Sequence, residues 1–117
     1  MPFVRIVSNQ PALSKDRASA LLAEVSQCVS SLLGKPERWV MTCLDPGAAM
    51  TFSGTPEPAC YVEVKNIGAL SGNVTQKISH ELCTLLAKHL DVPPNRTYIE
   101  FTNAVGHLWG HDSSTFG

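Results

Sequence analysis

Pro2 stands directly behind the initiator Met1 and heads a short apolar run, Pro2-Phe3-Val4-Arg5-Ile6-Val7. Excision of Met1, which a small second residue ordinarily permits, would expose a secondary amine locked in a ring at the end of a strand. Such an amine is a base with almost no conformational freedom. A free α-amino group titrates near pH ~8, and burial or a neighbouring cation pushes that value down because each disfavours the charged form. The outcome is a neutral general base at physiological pH. With Met1 attached, the Pro2 nitrogen is an amide and has no basicity. The chemistry on offer is proton abstraction and return, conditional on a free terminus.

Other constellations are weaker. His107-x-x-x-His111 followed by Asp112 carries metal-binding side chains, but Gly106 and Gly110 break the helix that would put both imidazoles on one face. Loop histidines in solvent are the expectation, with no metal and no cofactor. The four cysteines, Cys28, Cys43, Cys60 and Cys83, form no C-x-x-C pair and sit in apolar patterns. They read as free buried thiols. Nucleophile elbows and Gly-rich phosphate loops are absent from the sequence, and Asp45-Pro46-Gly47 reads as a turn.

At 117 residues, 44% hydrophobic and 16% charged, the chain fits a single domain, 1–117, able to build a core. A formal net charge of −1 gives no basic footprint for nucleic acid or an anionic membrane surface. The N-terminus lacks the charged and apolar regions of a secretory leader, and no segment approaches the ~20 apolar residues that span a bilayer. A cytoplasmic protein is expected, with export lacking a signal peptide as the alternative.

The elements that must hold Pro2 follow from periodicity. Leu21, Leu22, Val25, Cys28, Val29, Leu32 and Leu33 recur at helical spacing, predicting a helix from about Ser14, its N-cap, to Leu33, stopped by Gly34 and Pro36. A second amphipathic stretch carries Ile78, Leu82, Leu85, Leu86 and Leu90. Asn73 or Thr75 is its expected cap, and Pro93-Pro94 ends it. Four β-rich runs, Phe3 to Ser8, Trp39 to Leu44, Cys60 to Lys65 and Thr97 to Asn103, give the order β-α-β-β-α-β.

The two halves, about 2–58 and 60–103, superpose at an offset of 58, since Phe3-Val4-Arg5-Ile6 matches Tyr61-Val62-Glu63-Val64 and Arg38 matches Arg96. Helical Val25, Cys28 and Leu32 then match Cys83, Leu86 and Leu90. The repeat implies two right-handed β-α-β units with both helices on one face of a shared mixed sheet, an α+β two-layer sandwich. Its other face is expected to carry alternating side chains such as Val4, Ile6, Val62, Val64, Ile99 and Phe101, or their neighbours, and to be buried by other subunits. Cys60 stands opposite Pro2 in the repeat, so only the first half can supply an amine. Residues 104–117 form a tail outside the repeat.

Met1-Pro2, Leu33-Gly34-Lys35-Pro36, Met50-Thr51-Phe52-Ser53-Gly54 with Glu57-Pro58, Asn66-Ile67-Gly68, Arg96-Thr97-Tyr98-Ile99 and Ser114-Thr115-Phe116 together resemble the tautomerase superfamily. The likeness covers the whole chain and lies with the macrophage migration inhibitory factor and D-dopachrome tautomerase branch. It implies a homotrimer with active sites at subunit boundaries, and keto–enol tautomerisation of phenylpyruvate-like or dopachrome-like substrates. By that resemblance Pro2 is the acid–base catalyst and Lys35 grips the substrate carboxylate, although helix-end spacing alone favours a lysine facing the macrodipole. Ile67 offers its backbone N–H, Tyr98 enters the neighbouring subunit's pocket, and Phe116 and Trp109 line the rim.

Three departures stand out. Glu100 replaces an asparagine of vertebrate members and directs a carboxylate toward a pocket for anions. Ala59-Cys60-Tyr61-Val62 lacks the second thiol of a C-x-x-C element, which argues against dithiol exchange. His111 replaces a tryptophan of many relatives. Beside the isomerase reading stands a binding protein of cytokine type, in which the pocket is vestigial and a trimer surface meets a protein receptor.

Overall fold

The computed structural model describes residues 1–117. The four long strands are β1 (Phe3–Ser8), β2 (Met41–Asp45), β3 (Cys60–Ile67) and β4 (Thr97–Ala104), and the two helices are α1 (Lys15–Leu33) and α2 (Gly72–Leu90). Sheet order is β2-β1-β3-β4, with β1/β2 and β3/β4 parallel and β1/β3 antiparallel. Two β-α-β units thus meet across a central antiparallel seam, as the α+β reading requires.

Alternation along the strands decides what the helices cover. Val4, Ile6, Val62 and Val64 are fully buried together with Leu21, Val25 and Val29 of α1 and Ile78, Leu82 and Leu86 of α2. Those strand residues therefore face the helices, not a partner. The helix-free face instead carries Arg5 opposite Glu63, Glu63 opposite Glu100, and Tyr61 opposite Tyr98. Arg5 donates to Asp45 at 2.8 Å and approaches Glu63 at 4.0 Å. The expected apolar second face is corrected to a charged and aromatic one, because the buried parity of each strand was already used by the helices.

Local chemistry fixes the helix ends. The Ser14 hydroxyl accepts from Arg17 N–H, as expected for the N-cap of α1. Ser71 does the same for Val74 in α2, replacing the expected Asn73 or Thr75, which both lie inside the helix. Gly34 takes a left-handed conformation (φ 64°) and turns the chain out of α1, with Lys35 N–H returning to the Ser30 carbonyl at 3.0 Å. Across the helix pair, Glu24 accepts from Lys88 and contacts the His89 imidazole, which holds the Glu24 carboxyl below its ordinary range.

The repeat register is also refined. The first strands keep the offset of 58 (Val4 and Ile6 against Val62 and Val64), but Leu21, Val25 and Val29 correspond to Ile78, Leu82 and Leu86, one residue less. The stretch from Ile6 to Leu21 is one residue longer than the stretch from Val64 to Ile78, and no single offset survives such a difference. Burial at three- and four-residue spacing, not identity, marks the true helical register.

Trp39 closes a 3-10 turn, Glu37–Trp39, and lies outside β2, which begins at Met41. The tail forms a 3-10 turn (Gly106–Leu108) and a short hairpin of β5 (Gly110–His111) with β6 (Ser114–Thr115). Asp112 and Ser113, both at positive φ, are the two central residues of that hairpin turn. Gly106 permits the closure: a Cβ there would stand 2.7 Å from the Phe116 carbonyl oxygen.

Candidate active site

Parallel pairing of β1 with β2 brings the heads of both strands to one end of the sheet. Phe3 lies opposite Met41, and Met41 N–H donates to the Pro2 carbonyl at 3.1 Å. Met1-Pro2 and Trp39-Val40 are therefore neighbours by topology. The C-terminal hairpin folds over the same end, where Phe116 N–H donates to the carbonyls of Gly106 and Trp109. A cavity of about 370 Å³ results, with Met1, Pro2, Trp39, Trp109, His111 and Phe116 on its wall.

Its aromatic wall is ordered. The His111 imidazole stacks on Phe116 with centroids 5.5 Å apart and planes 6° from parallel. Trp39 meets both rings edge-on, at 5.3 and 5.9 Å. Offset and edge-to-face contacts of this kind hold an apolar surface in place for a planar ligand.

Lys35 stands off this wall. The Gly34 turn projects it past the end of α1, and its Nζ donates to the carbonyl of Ile67 at the end of β3. It also lies against the chain terminus: the Met1 α-amine is pushed down from its ordinary 8.0 to about 6, first by burial and then by hydrogen bonding with and positive charge from Lys35. A largely neutral amine at the mouth of an aromatic cavity, beside an ammonium, can exchange a proton with an acidic C–H while the cation holds an anion.

Of the residues expected from sequence, the structure gathers Pro2, Trp109 and Phe116 on the cavity wall and sets Lys35 and Ile67 beside the terminus. Tyr98 and Glu100 are elsewhere. Both point off the exposed side of edge strand β4, with Tyr98 67% exposed and packed on Phe52 at 4.9 Å. Arg38, Trp39, Val40 and Met41 join the wall without a motif in the sequence that marks them. The available signal was the β-α-β order, since parallel strands begin at the same end. His111 is not a free loop histidine but part of the stack. Burial holds the thiols of Cys28, Cys60 and Cys83 above their ordinary range, which leaves them protonated and poor nucleophiles.

A duplicated β-α-β-β-α-β sheet with a proline-headed first strand opening on a cavity defines a protein of the tautomerase fold. The family profile described as "Macrophage migration inhibitory factor (MIF)" matches residues 1–117, and the chain belongs to that family. It is 37% identical to a macrophage migration inhibitory factor homolog of Brugia malayi over 117 residues, covering all of both chains. Identity to the macrophage migration inhibitory factor of Rattus norvegicus is 31% over 116 residues, 99% of each chain. The crystal structure of a homologue from Prochlorococcus marinus superposes with a TM-score of 0.94 at 47% identity, covering 98% of this chain and 99% of that one. At the level of the family this is a tautomerase, an isomerase.

Proposed function

We propose that the chain is a cofactor-independent keto–enol tautomerase for phenylpyruvate-like or dopachrome-like substrates, with Pro2 as general base and acid once Met1 is removed. The observation that carries this reading is the terminus itself. An amine at the wall of the cavity and against Lys35 is already depressed to about 6, and loss of Met1 would hand that surrounding to the ring nitrogen of Pro2. Pro2 takes a proton from the carbon beside the ketone, leaving an enolate, and delivers it to the enolate oxygen to give the enol. Lys35 holds the carboxylate and disfavours a charged proline, so that the base is neutral when substrate arrives.

A homotrimer fits the same reading. Tyr98 and Glu100 stand outside their own cavity, so they could serve catalysis only in the cavity of a second copy. Intact mass decides whether the amine exists, and the rate of enol formation from phenylpyruvate then tests its role. Pro2→Gly puts a freely rotating primary amine in place of the rigid ring amine and is expected to slow turnover by up to ~10²-fold, part of what a well-placed general base contributes. Undiminished turnover in that variant would remove Pro2 from the mechanism.

A further inference from the structure

Arg38 is the arginine of this chain that nothing in the fold occupies. The guanidinium of Arg96 donates to the carbonyls of Phe52, Thr55, Glu57 and Pro58, that of Arg5 pairs with Asp45, and that of Arg17 reaches the His89 carbonyl. Arg38 makes no hydrogen bond and no salt bridge. Its guanidinium instead lies 5.7 Å from the ring centroid of Trp39, and both residues line the cavity. His111 lines the same cavity, edge-on to Trp39 and stacked on Phe116.

No acidic side chain lines this cavity; Glu37 and Asp112, the sequence neighbours of Arg38 and His111, stay off its wall. Two donor groups are thus fixed on an aromatic surface without an internal acceptor. Guanidinium presents a rigid fork of N–H groups, and imidazole keeps at least one N–H in either protonation state. Lys35 is off this wall, tied to Ile67 and beside the chain terminus, and in the tautomerase reading it serves the keto acid's own carboxylate.

We propose that Arg38 and His111 form a second, specificity-determining subsite that takes an anionic group at the far end of the substrate. The preferred substrate class is then an aryl α-keto acid bearing a second carboxylate on its ring, with the ring against Trp39 and Phe116. The inference rests on the tautomerase reading of the cavity, but its test can be separated from turnover.

Both tryptophans of the chain, Trp39 and Trp109, line the cavity, so ligand binding is readable as quenching of intrinsic fluorescence. The probes are 3-phenylpropanoate and 3-(4-carboxyphenyl)propanoate, which lack the ketone and cannot turn over. The native chain is expected to bind the dicarboxylate about fivefold more tightly, the scale of a charge-assisted contact at a partly open site. Arg38→Gln should bring that ratio near one, and His111→Phe, which keeps the stack and removes the N–H, should lower it partway. Arg38→Lys restores charge without the planar fork and should recover only part. Equal affinities in the native chain, or a preference that survives Arg38→Gln, overturns the subsite. Absence of enol formation from phenylpyruvate, with the binding ratio intact, would count against the tautomerase reading alone.

Discussion

The two halves of the molecule carry the same elements and treat the same corner in opposite ways. In the first half, the 3-10 turn Glu37–Trp39 leads into β2, and its Arg38 and Trp39 face an open cavity at the head of β1. In the second half, the turn Pro94–Arg96 leads into β4, and Arg96 there spends its donors on four backbone carbonyls of the preceding loop. That loop covers the head of β3, where Ala59 and Cys60 are 1% and 2% exposed. The contrast teaches that equivalent turns use their arginines differently: where continuous backbone precedes the strand its carbonyls take up the guanidinium, and where the chain terminus lies there are no such carbonyls for Arg38.

Arg96→Ala should break this contrast most strongly from the second half. Four carbonyls lose a charged donor, and unfolding in urea should show a loss of roughly 2–4 kcal/mol, since a hydrogen bond to a charged group is worth about 1.5–3 kcal/mol and these are only partly buried. A midpoint within a few tenths of a molar of the native chain would mean that the loop holds itself. Trp39 fluorescence should respond little before global unfolding, because the first corner does not depend on that clamp.

Lys35→Ala acts on the open corner. The amine's value is lowered by burial and, secondarily, by Lys35, and a base works only when deprotonated. Activity in the processed native chain should therefore fall as pH drops through a value below the ordinary 8.0. Removing Lys35 should move that acidic limb upward by part of the shift only, because burial remains. KM for carboxylate substrates should rise together with it. An unmoved limb in a pH–rate profile would place Lys35 out of contact with the processed terminus.

The smallest expected difference concerns the helix caps, which are alike in both halves. Ser14→Ala and Ser71→Ala each remove one side-chain acceptor at a helix N-terminus and should cost about 1 kcal/mol apiece, adding independently. Unequal losses in thermal denaturation would show that the halves are not equivalent even where they look so.

The site was legible in proportion to its locality in sequence. Pro2 and the β-α-β-β-α-β order can be seen from residue type and strand pattern, whereas Lys35 enters by resemblance alone, since its helix-end spacing favours a lysine on the macrodipole. Asn73 and Thr75 offer competing cap side chains two and four residues after Ser71, and only the backbone N–H of Val74 chooses Ser71 among them. Trp39 has the β propensity of a strand residue, yet the residues after Pro36 turn once more before the ladder begins. Offset 58 failed in the helices because one residue changes the register of everything after it. Parity on the sheet is the larger difference: alternation says that two faces differ, and only packing says which one the helices take.

The sequence by itself determined the elements, their order, and the one position where a free amine could arise, because caps, breakers and periodicity act over a few residues. Tertiary structure decided that the tail hairpin closes over the heads of β1 and β2, that His111, Phe116 and Trp39 become one wall, and that Arg96 is consumed while Arg38 is not. Those outcomes depend on backbone carbonyls and rings brought together from residues far apart in the chain, and such distances are set only when the sheet has formed.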